Sequence, residues 1–135
     1  WLKERVFMVL INTTRIAKFK HPLLSIGIIN FHRGAYAHSL DMAKTKQFGH
    51  YNFDYRASKY GFRGENCIYG SNNPIEMYKI WMNSPGHRAN ILRKSYVLTG
   101  VGFCKKITIQ KCIFINGSVK KERINTVTYG TQVFR

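Results

Sequence analysis

The feature that most constrains the fold of this chain is a change of sequence pattern about two thirds of the way along it. From Tyr96 onward, the segments 96–103, 107–115 and 126–134 are rich in β-branched and aromatic residues, with glycines and an Asn-Gly pair between them. This pattern is typical of β-strands joined by turns. Before Tyr96, apolar residues recur every three or four positions, as they do in helices. Helices followed by an antiparallel sheet of three to four strands predict an α+β fold.

The helical part of the sequence divides into four predicted helices and one short helical turn. The helices are predicted over residues 3–19, 31–47, 54–60 and 74–83, and the turn over 87–92. The helix at 74–83 has the clearest start, because Asn73 suits an N-cap and Pro74 suits the first helical position.

Three of these helices have a predicted buried stripe. In the first helix the stripe consists of Val6, Val9, Leu10, Thr13 and Ala17. In the second it consists of Phe31, Ala35, His38 and Met42, and in the helix at 74–83 of Met77, Ile80 and Trp81. His38 and the nearby His32 are interpreted as structural or surface residues.

Size and charge limit the classes of protein that the chain can belong to. With 135 residues, of which 44% are hydrophobic, it is expected to form one domain over 1–135. No apolar run approaches the roughly 20 residues that a membrane-spanning helix needs, so no transmembrane segment is expected. The 22 Lys and Arg residues against 6 Asp and Glu give a net charge of +16. Anionic glycans and anionic lipid surfaces are therefore candidate partners, whereas no pattern predicts specific nucleic-acid binding.

Four residues at the junctions between predicted elements could carry chemistry: His50, Glu65, Glu76 and His87. Two imidazoles and two carboxylates can bind a divalent cation such as zinc, and Glu65 and Glu76 are candidate catalytic groups for acid–base chemistry. Structural roles are the alternatives. Glu76 can complete a capping box on Asn73, Glu65 can bind amides of a turn at 64–66, and both histidines can be exposed loop residues.

The three cysteines, Cys67, Cys104 and Cys112, leave one thiol unpaired if a disulfide forms. Cys104 and Cys112 lie eight residues apart across a predicted hairpin, so a bridge between them is conceivable. The chain has no C-x-x-C pair, which argues against a cysteine-rich zinc site.

Several motifs in order along the chain resemble the CAP superfamily, which includes cysteine-rich secretory proteins, venom allergens and plant pathogenesis-related proteins. The resemblance is to its bacterial secreted branch and spans about residues 10–134. The motifs are Asn12 with Arg15, AHSLDMA (37–43), GEN (64–66), SPGHRANIL (84–92), GVGF (100–103) and YGTQVF (129–134). Cys67 departs from the family pattern, which commonly has an aliphatic residue after GEN.

The resemblance implies a three-layer α-β-α sandwich with a large central cleft. The family's cleft carries two histidines and two glutamates, and the matching positions are His50, Glu65, Glu76 and His87. In some family members these residues hold a divalent metal, often zinc. The resemblance and a chain that starts at Trp1 lead us to expect an extracellular or cell-surface protein whose leader or anchor has been removed.

The function expected first is that of a secreted or surface-displayed binding domain whose cleft takes a small molecule, a lipid or a peptide, with or without a metal. A hydrolase acting on peptides or glycans through a metal or through Glu65 and Glu76 is the alternative. No G-x-S-x-G, S-x-x-K or H-E-x-x-H motif supports catalysis. A third possibility is a polyanion-binding protein that acts through its positive charge.

Overall fold

The computed structural model describes residues 2–25, 29–113 and 119–135, and for 109–113 and 119–123 it describes the backbone alone. Its helices are α1 (Leu2–Ala17), α2 (Ile29–Thr45), α3 (Phe53–Tyr60), α4 (Pro74–Asn83) and α5 (Pro85–Leu92). Its strands are β1 (Gly64–Gly70), β2 (Thr99–Ile113) and β3 (Val119–Phe134). None of these helices is long and apolar enough to cross a membrane.

The three strands form one antiparallel sheet in the order β1-β3-β2. Helix α2 packs on one face of the sheet. Its approach is close, because a Cβ added to Gly102 would lie 2.3 Å from the backbone nitrogen of Tyr36. The other face packs against α1 and α4 through a core cluster that includes Phe7, Trp81 and Val101. The predicted α+β fold, with an antiparallel sheet of three strands inside a sandwich of helices, is confirmed.

Strand β1 replaces the turn that the sequence suggested at 64–66. Residues 64–68 are buried, and every residue of the strand pairs with β3, from Gly64 opposite Phe134 to Gly70 opposite Thr128. A strand that is covered on both faces does not show the alternating pattern of a half-exposed strand. The turn expected at 64–66 is therefore wrong, because a strand buried on both faces lacks the alternating pattern by which strands are recognised.

Strand β2 also differs from expectation, because the segments at 96–103 and 107–115 were expected to be separate strands. The basic pair between them continues the ladder, with Lys105 opposite Thr128 and Lys106 opposite Val127. Asn116-Gly117, where the sequence suggested a turn, lies outside the described residues.

None of the five residues predicted for the stripe of α1 is buried. The structure buries Phe7, Met8, Ile11 and Arg15, whereas Val9 is 65% exposed. The true stripe includes an arginine, so a search for apolar residues alone does not find it. Ile80 of α4 is also exposed, contrary to expectation, whereas Met77, Trp81 and the stripe of α2 are buried as predicted.

A disulfide between Cys104 and Cys112 is excluded by the strand geometry. Both residues lie in β2, and eight residues of strand separate their backbones by roughly 26 Å. A disulfide requires Cα atoms within about 7 Å of each other. Cys104 is accordingly a free thiol.

Two polar residues of α1 fix the segments that surround the sheet. The Asn12 amide makes two hydrogen bonds with the backbone of Leu23, at 2.8 and 3.1 Å. The buried Arg15 guanidinium donates to four carbonyl oxygens, those of His21, Ile91, Arg93 and Tyr96. Since two of these carbonyls lie at the end of α5, Arg15 fixes the position of the helix that carries His87.

Candidate functional site

The sequence-predicted residues His50 and Glu65 meet at β1, which is an edge strand of the sheet. His50 follows the loop after α2, and its Nδ1–H donates to Glu65 Oε1 at 3.0 Å. The His50 side chain is 53% exposed, whereas that of Glu65 is 1% exposed. The pair therefore presents a solvent-accessible imidazole whose orientation is fixed by a buried carboxylate.

Arg56 of α3 holds Glu65 as an ion pair. Its Nη2 donates to Glu65 Oε1 at 2.9 Å, and its Nη1 donates to Oε2. Burial alone raises the pKa of the Glu65 carboxyl, but the hydrogen bonds and charge of Arg56, followed by His38 and His50, outweigh burial, so that the pKa is lowered. Glu65 is consequently a carboxylate at neutral pH, with both oxygens engaged.

His38 and Cys67 complete the surroundings of Glu65. The buried His38 Nε2–H donates to the Gly49 carbonyl at 2.8 Å, and the same nitrogen lies 3.8 Å from Glu65 Oε1. Cys67 Sγ lies 3.5 Å from Glu65 Oε1 and 3.6 Å from His50 Nδ1. Burial, which outweighs the charge of Glu65, lowers the pKa of His38, whereas burial and then Glu65 raise the pKa of Cys67.

His38 and Arg56 are site residues that the sequence reasoning missed. His38 was correctly placed on the buried face of α2, and a buried imidazole requires a polar partner. That requirement was the available signal. Arg56 carries no such signal, because nothing in the local sequence distinguishes it from the other basic residues of the chain.

His87 reaches the same strand from the opposite helical layer. Asn66 of β1 donates to the His87 carbonyl at 3.1 Å, and Asn90 donates to the Asn66 side-chain oxygen at 2.9 Å. Burial, followed by the charge of His50, lowers the pKa of His87, which is therefore neutral at pH 7. Its buried Nδ1 has no hydrogen-bond partner within the part of the chain that the structure describes.

Glu76 takes part in the start of α4 rather than in the hydrogen bonds around Glu65. It is exposed in the first turn of α4 and accepts a hydrogen bond from the Ser71 hydroxyl. The Ser71 oxygen accepts a hydrogen bond from the backbone N–H of Asn73 at 3.0 Å. Asn73 is the N-cap, accepting from the Ile75 amide at 2.9 Å. Glu76 thus supports the start of α4 through Ser71, and it makes no hydrogen bond to His50, Glu65 or His87, all of which the structure describes.

Two cavities lie on the α2–α3 side of the molecule, and none of the four predicted residues lines either of them. The first, of about 200 Å³, borders His38 and Arg56. The second, of about 570 Å³, lies between the start of α2, the end of α3 and Arg135. The large central cleft implied by the resemblance stays a prediction.

The architecture defines a class before any comparison is made: an α-β-α sandwich with a histidine–carboxylate pair at an edge strand and a second histidine presented by the opposite layer. The sequence profile described as "CAP: Cysteine-rich secretory protein family" matches residues 31–115. This match covers more than half of the chain, and the chain belongs to this family.

Similar proteins come from several bacteria. The uncharacterized protein YkwD of Bacillus subtilis is 37% identical over 92 aligned positions, and the match covers 62% of this chain and 36% of YkwD. The chain thus spans about a third of that relative's length.

Three solved structures share the fold. An extracellular protein containing a SCP domain from Bacillus anthracis has a TM-score of 0.70 at 21% identity, over 97% of this chain and 39% of that one. An outer surface protein of Borrelia burgdorferi has a TM-score of 0.67 at 13% identity, over 98% and 92%. A cysteine-rich secretory protein of Staphylococcus aureus has a TM-score of 0.64 at 16% identity, over 98% and 38%. At these identities the likeness shows the fold alone.

Proposed function

We propose that this protein is an extracellular binding domain that holds a divalent cation, zinc first of all, with His50, Glu65, Glu76 and His87. The observation that carries the proposal is the 3.0 Å contact between His50 Nδ1 and Glu65 Oε1. Metal-binding histidines commonly donate one ring N–H to a carboxylate, which fixes the ring and leaves the other nitrogen for the metal.

The donor set fits a zinc ion in two further respects. His87 is held in its neutral form, as a metal ligand must be, and its buried Nδ1 is unpartnered among the described residues. Glu65 orients His50 through Oε1 and supplies a carboxylate that its pairing with Arg56 keeps charged. The exposed Glu76 supplies the second carboxylate. The bound cation would provide a positive centre for an anionic or carbonyl group of a ligand.

Binding is favoured over catalysis by the protonation state of Glu65. A glycosidase acid needs a raised pKa, whereas the pKa of Glu65 is lowered. The proposed ligand is a small molecule, a lipid or a peptide that contacts the cation and the surrounding surface. The proposed location outside the cell is supported by the names of the structural neighbours, which describe an extracellular protein and an outer surface protein.

Isothermal titration with zinc tests this function. We expect the double variant His50→Ala with His87→Ala to weaken zinc binding at least tenfold, since both nitrogen donors are lost. The matched control is His21→Ala, which removes an exposed imidazole away from β1. Unchanged affinity in the double variant would show that the cation is not bound at these residues.

A polyanion-binding surface is a second candidate function, favoured by the shape of the sheet. Strand β1 ends opposite Thr128, but β2 and β3 continue to pair beyond this point as a two-stranded ribbon. Ile107 and Ile124 are exposed on this ribbon. The segment 105–123 contains a single acidic residue, Glu122, and six basic ones, Lys105, Lys106, Lys111, Lys120, Lys121 and Arg123. A basic ribbon of this kind suits an anionic glycan or lipid surface.

Retention on immobilised heparin at two salt concentrations tests the second function. We expect retention to fall steeply as salt rises, and to fall further when Lys120 and Lys121 are replaced by Gln, since fewer counterions are then released. A matched control replaces Lys18 and Lys20, near the end of α1, by Gln. Equal retention at both salt concentrations contradicts an electrostatic surface.

A further inference from the structure

The inner side of the His50 ring faces a group of donor atoms, and two of them, those of His38 and Cys67, have no part in the proposed function. Glu65 Oε1 lies 3.0 Å from His50 Nδ1, 3.5 Å from Cys67 Sγ and 3.8 Å from His38 Nε2. Cys67 Sγ lies 3.6 Å from His50 Nδ1. One ligand atom each of His38, Glu65 and Cys67 fits within a mutual distance of 4.8 Å.

These separations match the edges of a tetrahedral metal site. Zinc binds nitrogen and oxygen at about 2.0–2.2 Å and sulfur at about 2.3 Å, which places neighbouring ligand atoms about 3.3–3.6 Å apart. Four of the six edges run from 3.0 to 3.8 Å, and the edge between His38 and Cys67 is within 4.8 Å. His38, Glu65 and Cys67 are thus close enough to share a cation, and His50 becomes the fourth ligand when its ring turns toward them.

The elements of the fold explain why the four side chains converge. Glu65 and Cys67 are two residues apart in β1 and so point to the same face of the sheet. His38 packs onto this face from α2, where Cys67 and Met42 belong to one core cluster. His50 is brought back over the strand after Gly49, whose φ of 144° favours glycine.

We propose that His38, His50, Glu65 and Cys67 form an inner binding site for a thiophilic divalent cation such as Zn²⁺ or Cd²⁺. On binding, Cys67 releases its thiol proton to solvent and coordinates as a thiolate, and both imidazoles coordinate as neutral rings. His38 then gives up its hydrogen bond to the Gly49 carbonyl and His50 its hydrogen bond to Glu65. In each ring the proton on the coordinating nitrogen is lost to solvent and the other ring nitrogen takes one up. Arg56 stays paired with Glu65, so a divalent cation with the anionic Cys67 and Glu65 leaves the inner site with a net charge of +1.

Burial distinguishes the inner site from the cation site of the proposed function. His38, Glu65 and Cys67 are buried, and His50 is the exposed member through which the cation enters. A closed site with four protein ligands is typical of tightly held structural metal. The inner site needs neither Glu76 nor His87, so it goes beyond the proposed function and does not rest on it.

Titration with Co²⁺ or Cd²⁺ under reducing conditions tests the inner site, because a thiolate ligand gives a sulfur-to-metal charge-transfer absorption. The measurement uses the variant Cys104→Ser with Cys112→Ser, in which Cys67 is the remaining cysteine. We expect one equivalent of cation to produce the absorption band. Adding His38→Ala should weaken cadmium binding at least tenfold, whereas adding His87→Ala should leave the band in place.

Cys67→Val in the natural chain is the matched control, since it removes the sulfur but keeps an apolar side chain in the core. We expect it to lose the band and at least tenfold in cadmium affinity, with the thermal unfolding of the metal-free protein little changed. This comparison also tests the inner site if the variant Cys104→Ser with Cys112→Ser does not fold. A natural chain that gives no charge-transfer band in excess cation, or a band that disappears with His87→Ala, overturns the inner site. Zinc calorimetry on Cys67→Val reports on the residues of the proposed function, because this variant lacks the sulfur of the inner site.

Discussion

At the scale of single residues, Glu65 is central to the site, because the groups around its carboxylate determine which of the side chains are charged. The sequence predicted His50 and Glu65 as members of one site, and the structure places them in hydrogen-bond contact. It could not predict Arg56, since a salt bridge between α3 and β1 depends on how these elements pack. Glu76 shows the reverse case: its spacing from Asn73 indicated a helix-start role, and the structure has it at the start of α4.

The Arg56–Glu65 ion pair is expected to contribute strongly to stability. Replacing Arg56 by Ala leaves a buried carboxylate without its cation, and breaking a buried pair in this way costs about 3–5 kcal/mol in the free energy of unfolding. Urea denaturation measures the loss. Arg63→Ala is the control, because Arg63 is exposed beside the same strand and should change stability by less than about 0.5 kcal/mol. Equal losses in the two variants would contradict the importance of the pair.

At the scale of elements, the site depends on an edge strand that the sequence concealed. The GEN motif looks like a turn because glycine and asparagine favour turns. It forms a strand because β3, about 65 positions later, pairs with each of its residues. Propensity describes neighbours along the chain, whereas this pairing is set by distant residues. The helix at 74–83 could be predicted to the residue because Asn73 and Pro74 are local signals.

Asn66 joins β1 to the helix that carries His87. Replacing it by Ala removes its bond to the His87 carbonyl and leaves Asn90 without its side-chain partner. We expect a loss of about 1–3 kcal/mol in the free energy of unfolding, because buried polar groups become unsatisfied. Zinc binding should weaken in the same variant, since α5 is no longer anchored. Calorimetry and urea denaturation check both effects, and Asn83→Ala on the exposed end of α4 is the control.

The close approach of α2 to the sheet gives a second prediction for the elements. A Cβ at Gly102 would lie 2.3 Å from the Tyr36 nitrogen and 2.5 Å from its Cα, so the helix backbone must move. Gly102→Ala should therefore lower the unfolding free energy by about 1–3 kcal/mol. A Cβ at Gly86 meets no atom within 4 Å, so Gly86→Ala should leave the unfolding free energy nearly unchanged. Thermal melts of the two variants measure the difference. A stable Gly102→Ala protein would show that the packing of α2 is looser than described.

At the scale of the whole molecule, the order of helices and strands was predictable, but the site's electrostatics were not. The α+β class could be predicted because the spacing of apolar residues differs between helices and strands, and this spacing is visible in the local sequence. Burial of His38 and His87 follows from the assembled layers, and it lowers the pKa of both rings below 6.5. The stability of the entire fold is thereby linked to pH.

The metal-free protein should lose stability as pH falls below 6.5. In the unfolded chain both histidines take up protons near pH 6.5, whereas in the folded chain their pKa values are lower, so acid favours unfolding until pH passes the folded values. Glu65 adds a loss of the same sign at lower pH, because its stabilising effect is complete above pH 4.5 and disappears as pH falls through its lowered pKa.

Replacing His87 by Gln should reduce this pH dependence. Unfolding free energies at pH 7.5 and 5.5, measured in urea, should differ less in His87→Gln than in the natural chain. His21→Gln, at an exposed position, should keep the natural difference. A pH dependence that is unaltered by His87→Gln would mean that this ring protonates equally well in the folded and unfolded states.

The strand order β1-β3-β2 also has a consequence for how the chain can fold during its synthesis. The central strand is the last of the three along the chain, and within the described ranges β1 and β2 each pair with it alone. A nascent chain that has not yet reached Val119 can form helices but not the sheet. Sheet assembly must therefore wait for the ribosome to add the final strand, and every contact around Glu65 that depends on the position of β1 forms after that moment.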